Sequence, residues 1–303
     1  MHDSVDFWIQ QTAQADELLA DAARIRALCD DTFARDPHMV ELATFPQGLS
    51  AADINDRVRA MSKPYPDPLY HRDSGELLSD ADYARYENNL NLADLPESIV
   101  VQFALVVRRA DMRTWPTADV VYKTPETIEL DRFQENGLFP GDVLAVLHES
   151  ADGLWYFVQS YNYGAWVLQD RIVVGDRDEI LRYRDTAPFV VVTGDKVMTE
   201  RSRSAGSAAG LQLDMGVRLP LLNAAATGRE AGFEVRLPVR DATGQLDFRS
   251  ATIAGDQDVR TGYLPYTRAN ILRQIFKFQG ERYGWGHSFN ARDCTGLVIE
   301  VYR

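Results

Sequence analysis

The stretch Glu281–Arg303, ERYGWGHSFNARDCTGLVIEVYR, holds one of the chain's two cysteines, Cys294, set between Asp293 and Thr295. An aromatic, glycine-rich run leads into it and an apolar run follows. Asp293 is of the residue types that cap helices, so a helix beginning at Cys294 is predicted. A thiol in the first turn of a helix meets unpaired backbone N–H groups and the positive end of the helix dipole, a setting that stabilises a thiolate. Thr295 and Gly296 are small enough to let a substrate approach, and Tyr283-Gly284-Trp285-Gly286 is a turn able to form the wall of a cleft. Leu297, Val298 and Val301 fit one helix face, whereas the β-branched content of Leu297–Tyr302 by itself favours a strand.

The remainder of the chain sets limits on that reading. At roughly 100–200 residues per domain, 303 residues make two or three domains. A net charge of −13 argues against a nucleic-acid binder and against an anionic membrane surface. No apolar run approaches the roughly 18–20 residues needed to span a bilayer, and the first residues lack the basic-then-apolar order of a signal peptide. The protein is therefore cytosolic or has lost a leader. Two cysteines make no disulfide framework. Cys29, in the helical repeat Leu18, Ala22, Ile25, Cys29, is expected to be a buried small hydrophobe. His2, His38, His71, His148 and His287 are scattered without metal-ligand spacing, so neither metal nor cofactor is expected.

Along the chain, the N-terminal helix should stop at Asp36-Pro37. KPYPDPLYHRDSG, with three prolines in five residues, is irregular, and Ser79-x-x-Asp82 opens a capped helix. From about residue 99, short β-branched runs predict a small barrel. Val143, Ala145 and Leu147 alternate as in a half-buried strand, and Ser150–Gly153 forms a hairpin turn. A second barrel is read from PFVVVTGDKVMTE to LDFRSATIAG, with RSRSAGSAAG (201–210) as an exposed loop. Helix returns near residue 266, with Ile271, Leu272, Ile275 and Phe276 on one face and Gly280 at the position just past its end.

The segment RYGWGHSFNARDCTGLVIEVYR resembles the start of the catalytic domain of NlpC-type cysteine peptidases, bacterial enzymes of papain-like fold that cut cell-wall peptides. Their pattern is Tyr-x-Trp-Gly-Gly, a spacer, then Asp-Cys-Ser-Gly and an apolar helix. This chain departs from it at His287, where Gly is common, and at Thr295, where Ser is usual. ADMRTWPT, LHESADGLWYFVQSYNYGAWV and GYLPYTRANILRQIFKFQGERYGWG look like the multidomain members. The resemblance implies an α+β multidomain chain: a helical N-terminal stabilising region (1–97), two SH3-like β-barrels (98–185 and 186–262), and the first part of a papain-like peptidase domain (263–303). A final segment about 40 residues long is too short to bury a core alone and must pack on the barrels.

The resemblance further implies that Cys294 is the nucleophile, that Asp293 and the Thr295 hydroxyl bind the free amine of the substrate, and that Tyr283 stands beside the oxyanion site. A first-barrel tyrosine, Tyr161 or Tyr163, closes the pocket. The substrate class is peptidoglycan stem peptides or muropeptides, cut at the γ-D-glutamyl–diamino acid bond. A thiol nucleophile needs a base and a group to orient it; in the family that histidine follows the cysteine by several dozen residues, and this sequence ends nine residues after Cys294. His287 is expected to be a solvated or cleft-lining side chain, and His148 a surface residue. The expectation is a fragment of a peptidase, with a non-catalytic muropeptide-binding scaffold as the second reading and a redox-sensing Cys294 as the third. Relatives work mostly in the cell envelope, some in the cytoplasm.

Overall fold

The computed structural model describes residues 4–93, 95–201, 205–228 and 230–303; Met1, His2 and the stretch 202–204 of the serine-rich loop lie outside it. Helix α1 (Val5–Gln11) lies against the C-terminal part of the chain. Helix α2 (Ala22–Arg35) is capped by Asp21 and stops at Asp36, as Pro37 predicts. Its face is not the expected one: none of its side chains is buried, and Cys29 is exposed. Apolar spacing identifies a face but not a covering partner, and Leu18, Ile25 and Leu28 all remain exposed.

Strand β1 (Gly48–Ser50) leads into α3 (Ala51–Met61), and β2 (Tyr70–His71) precedes α4 (Asp80–Asn89). Both helices start with capping boxes, Ser50 with Asp53 and Ser79 with Asp82. Each buries a short stripe, Ile54 and Val58 on α3 and Tyr86 on α4. These side chains form no core of their own. They join Leu42, Phe45, Leu69 and Leu90 in one cluster with Phe103, Leu105, Trp115, Phe157 and Trp166 of the first sheet. The Trp166 indole N–H donates to Ser62 Oγ at 3.0 Å, and Ser62 donates to the Thr114 carbonyl at 2.8 Å, so the end of α3 is fixed by a buried polar chain.

Strand β3 (Ser98–Val100) pairs with β1, and β6 (Val121–Tyr122) with β2. Between and after them run β4 (Gln102–Val106), β5 (Ala110–Arg113), β7 (Gln134–Leu138), β8 (Val143–Glu149), β9 (Trp155–Gln159), β10 (Gly164–Leu168) and β11 (Ile172–Gly175). They form an antiparallel sheet in the order β11-β4-β8-β9-β10-β5-β7. Ser150–Gly153 does turn β8 into β9. The expectation of a half-buried β8 fails, because Val143 to Leu147 are all buried. One face of the strand (Val143, Ala145, Leu147) meets the helical N-terminal residues, and the other (Leu144, Val146) packs on Met112, Leu138 and Val158. A strand covered on both sides reads as a continuous apolar run. His148, expected at the surface, is half-buried: its Nε2 lies 2.8 Å from the Leu90 carbonyl and its ring packs on Trp166.

Helix α5 (Arg177–Asp185), capped by Asp176, leads into the second β region. There β12 (Phe189–Val192), β15 (Arg218–Pro220) and β18 (Val259–Thr261) make one sheet, β13 (Lys196–Met198) pairs with β14 (Gln212–Asp214), and β16 (Phe233–Arg240) forms a long hairpin with β17 (Leu246–Ile253). The Ser/Gly/Ala loop is not wholly exposed: Ala205 and Ala208 sit in this core beside Leu213, Val235 and Ile253. Their single methyl groups fit where a larger side chain would overpack.

Helix α6 (Arg268–Phe276) buries Ala269 and Gln274, whereas Ile275 of the expected face is 38% exposed. The helix ends at Phe276, so Gly280 (φ 83°) closes the turn that follows rather than the helix itself. Residues 15–19 run beside its start, with Leu19 N–H donating to the Tyr266 carbonyl at 2.9 Å and Ala269 N–H to the Ala15 carbonyl at 2.8 Å. The last element, α7 (Cys294–Tyr302), is a helix, which settles the helix-or-strand ambiguity in favour of the Asp293 cap.

Candidate active site

Cys294 is the first residue of α7 and is exposed, as is Thr295. The cap behind them is fully used. Asp293 Oδ1 accepts from Gly296 N–H at 2.7 Å and from the Thr295 hydroxyl at 2.8 Å, and Oδ2 accepts from Gly286 N–H at 3.0 Å. Burial pushes the Asp293 carboxyl up, but these three donors, with His287 nearby, hold it below the usual carboxylate range. Asp293 thus starts the helix and ties it to the preceding turn. Tyr283 lies across that turn, bridged through its backbone to Arg292, and its phenol is near enough to Cys294 and Asp293 to feel their charge. Desolvation, then the Cys294 and Asp293 charges, raise the Tyr283 phenol above its ordinary value.

The turn itself is moulded onto edge strand β7. The Trp285 indole N–H donates to the Gln134 carbonyl at 2.9 Å, and the Gln134 amide donates to the Gly286 carbonyl at 2.7 Å. Gly286 has φ 53°, and a Cβ there would sit 3.0 Å from the Glu135 carbonyl carbon, so only glycine fits. His287 and Phe289 also adopt left-handed backbone angles, and the resulting coil swings His287 inward. This corrects the solvated reading of His287. It is 5% exposed, set edge-on to Phe139 at 5.3 Å between β7 and α7. Its Nε2 is 3.2 Å from Glu300 Oε1, yet neither atom has a hydrogen bond of acceptable geometry, so the contact is electrostatic at most. A Cβ on Gly296 would be 2.7 Å from the same nitrogen, which explains the glycine in the first turn of the helix.

Arg292 was not singled out by sequence reasoning, and it anchors the whole segment. Its buried guanidinium meets Glu300 Oε2 at 2.5 Å, Glu281 Oε1 at 2.7 Å, the Asp195 carbonyl at 2.8 Å and Asp214 Oδ1 at 3.5 Å, and it stacks on Phe278. Asp214, fully buried on β14, also holds Arg109 at 3.2 Å. Arg109, from the β4–β5 loop, donates to the carbonyls of His287 and Ala291 at 2.8 and 3.2 Å. The residues before Cys294 are therefore locked to both β regions by buried charge. Burial alone would push the Asp214 carboxyl up, and it does so despite the two arginines. The only signal in the sequence was an arginine next to Asp-Cys.

The two first-barrel tyrosines part company. The Tyr163 hydroxyl donates to Glu135, which also accepts from the Thr114 hydroxyl at 2.6 Å, and the Glu135 backbone lies against Gly286. Tyr161 instead lines a cavity of about 500 Å³ with Phe139, Asp142, Gly216 and Arg303. Cys294 is not among the residues of that cavity. The structure thus brings together Tyr283, Asp293, Cys294 and Thr295, sets the Tyr163 hydroxyl against Glu135 of the strand carrying the turn, and leaves Tyr161 on the wall of the cavity. Among the described residues no cluster of three or more His, Cys, Asp or Glu could hold a metal ion, and no helix is long and apolar enough to cross a membrane.

This arrangement, a mixed α/β chain with a thiol at the head of a helix docked on β-sheet regions, defines the architectural class. Residues 121–168 match the SH3 domain family of SH3b1 type. The whole fold is similar to that of a solved NlpC/P60 endopeptidase from Photobacterium damselae subsp. piscicida, with a TM-score of 0.74 and 19% sequence identity over 95% of this chain. The chain has the fold of an NlpC/P60 endopeptidase carrying an SH3b domain, and it spans 64% of the length of that neighbour. A search of curated proteins by sequence finds no match.

Proposed function

We propose that the chain belongs to a cysteine endopeptidase that cleaves the γ-D-glutamyl–diamino acid bond of peptidoglycan stem peptides, with Cys294 as nucleophile. The observation that carries this reading is the exposed thiol at the N-terminus of α7, capped by Asp293, within an NlpC/P60 endopeptidase fold. The Cys294 thiolate adds to the γ-carbonyl of the glutamyl residue. The bond to the diamino acid breaks, its amine leaves protonated, and water then hydrolyses the thioester and restores the thiol. Helix-terminal N–H groups and Tyr283 stabilise charge at the reacting carbonyl. Asp293 and the Thr295 hydroxyl retain lone pairs for the substrate's ammonium, and Tyr163 with Glu135 bounds the pocket on the barrel side. His287 is too enclosed against Glu300 to serve as base. On this reading the base lies in the part of the endopeptidase fold that these 303 residues do not span.

The domain limits that go with this reading are 1–97, 98–185, 186–262 and 263–303. The test is hydrolysis of L-Ala-γ-D-Glu-diamino acid by the full-length protein: release of the diamino acid should vanish in Cys294→Ala. The SH3b1 match favours one other reading, a muropeptide-binding scaffold. Binding of the tripeptide without cleavage, unchanged by Cys294→Ala, would select it.

A further inference from the structure

The cavity of about 500 Å³ that Tyr161 lines is walled by separate parts of the chain. Cys29 and Phe33 of α2 face it, with Met39 and Val40 beyond them, and so do the β7–β8 turn, the start of β15 and the far end of α7. The volume is that of a small-molecule site. The segment carrying α2 is tied down on either side of the helix: Leu19 N–H donates to the Tyr266 carbonyl at 2.9 Å and Val40 N–H to the Tyr161 carbonyl at 2.7 Å. The helix between these ties buries none of its side chains, so it walls the cavity without filling it. Cys294, at the other end of α7, is not on the wall.

Two polar groups of the wall are unspent. The first is Arg218. Asp142 meets Arg303, and Glu41 lies 3.0 Å from Arg184, but among the described residues Arg218 has no carboxylate partner. Its guanidinium donates to the Thr186 carbonyl at 2.9 Å and stacks 3.9 Å from the centre of the Phe189 ring, which in turn packs on Tyr263 of the wall at 5.0 Å. A stacked guanidinium keeps its in-plane N–H groups for a carboxylate, held by two parallel hydrogen bonds. The second group is His287, 5% exposed, whose Nδ1 has no hydrogen-bond partner. That atom is on the cavity side. It lies 3.2 Å from the place of a Cβ on Gly137, which lines the cavity, whereas Nε2 faces Gly296 and Glu300, which do not. Folded proteins rarely leave a buried polar atom bare, and this one borders a space large enough for a ligand.

The wall sets Arg184, Arg218 and Arg303 against Glu41 and Asp142, a positive balance in a chain of net charge −13, and so favours an anion. We propose that this cavity binds a small aromatic carboxylate. Its carboxylate pairs with Arg218, its ring packs against Tyr161 and Tyr263, and His287 Nδ1 meets a polar group on the ring. The site is separate from the thiol, and the inference does not rest on the peptidase reading.

The experiment is calorimetric binding of indole-3-acetate, and of its neutral analogue indole-3-acetamide, to the full-length protein with and without Arg218→Met. Met keeps an unbranched stem on the Phe189 ring and removes the donors. The acid should bind more tightly than the amide, and Arg218→Met should weaken the acid about 10- to 100-fold while leaving the amide unchanged. The place is read independently: the acid should slow alkylation of Cys29, on the cavity wall, and leave that of Cys294 unchanged. No binding of the acid, equal affinity for acid and amide, acid binding indifferent to Arg218→Met, or protection of Cys294 in place of Cys29 would each overturn the proposal. Should Arg218→Met fail to fold, Cys29→Trp serves instead. Cys29 is exposed, so the change spares the core, and its bulk at the wall should abolish acid binding; binding retained in Cys29→Trp would equally overturn the site.

Discussion

The chain's two cysteines head or ride on two helices that begin alike and end up differently. Asp21 caps α2 by accepting from Arg24 N–H at 2.8 Å, and Asp293 caps α7 by accepting from Gly296 N–H at 2.7 Å. Beyond the cap they share little. Helix α2 buries none of its side chains, and its ion pair, Arg35 with Asp31, is exposed. Helix α7 is held by Arg292 on Glu300, by the His287–Gly296 contact and by the Arg109–Asp214 pair beyond it. A cap starts a helix, but a shared buried network fixes where its first residue points. A nucleophile needs the second property, and only Cys294 has it.

This contrast can be broken most sharply at Arg292. Removing it strands Glu300 as a buried charge and leaves Asp214 with Arg109 alone, so Arg292→Ala should lose about 3–5 kcal/mol in urea unfolding. Arg35→Ala, its counterpart on α2, should change stability by less than about 1 kcal/mol. Equal effects would mean that the two helices are equally free. Next in size is Gly296→Ala, where the new methyl would press on His287; a loss of about 1–3 kcal/mol is expected by the same measurement.

The caps come third. Asp21→Ala should cost about 1 kcal/mol and Asp293→Ala somewhat more, since Asp293 accepts three hydrogen bonds. Asp293 also carries a pH signature. Its folded carboxyl lies below the unfolded value of about 3.9. It therefore contributes stability above that value, and the contribution fades as pH falls through the lowered folded value. Acid unfolding of Asp293→Asn should lack this component, whereas a superimposable acid limb would remove Asp293 from the account. The smallest effect is expected at Cys29→Ser, within about 0.5 kcal/mol of the parent, because the thiol is exposed.

What the sequence made legible was local. The Asp293 cap, the Ser79–Asp82 capping box, the stop at Pro37 and the Ser150–Gly153 turn each depend on residues a few positions apart. What escaped was nonlocal. Arg109, Asp214 and Arg292 are brought together from separate parts of the chain, and no periodicity announces such a meeting. His287 is buried because a left-handed backbone turns it inward, whereas its neighbours in sequence are small and polar enough to suggest a solvated loop. The double burial of β8 and the bare face of α2 have the same origin: a pattern shows which side chains are apolar, and only the packed fold shows how many faces are covered.

The most direct test of the central claim, that the substrate meets the Cys294 thiol and not Cys29, is the rate at which iodoacetamide alkylates each cysteine of the full-length protein, read by peptide mass spectrometry with and without L-Ala-γ-D-Glu. The account predicts that the dipeptide slows labelling of Cys294 and leaves Cys29 unchanged. Labelling of Cys294 that is indifferent to the peptide, or protection of both thiols alike, would contradict it.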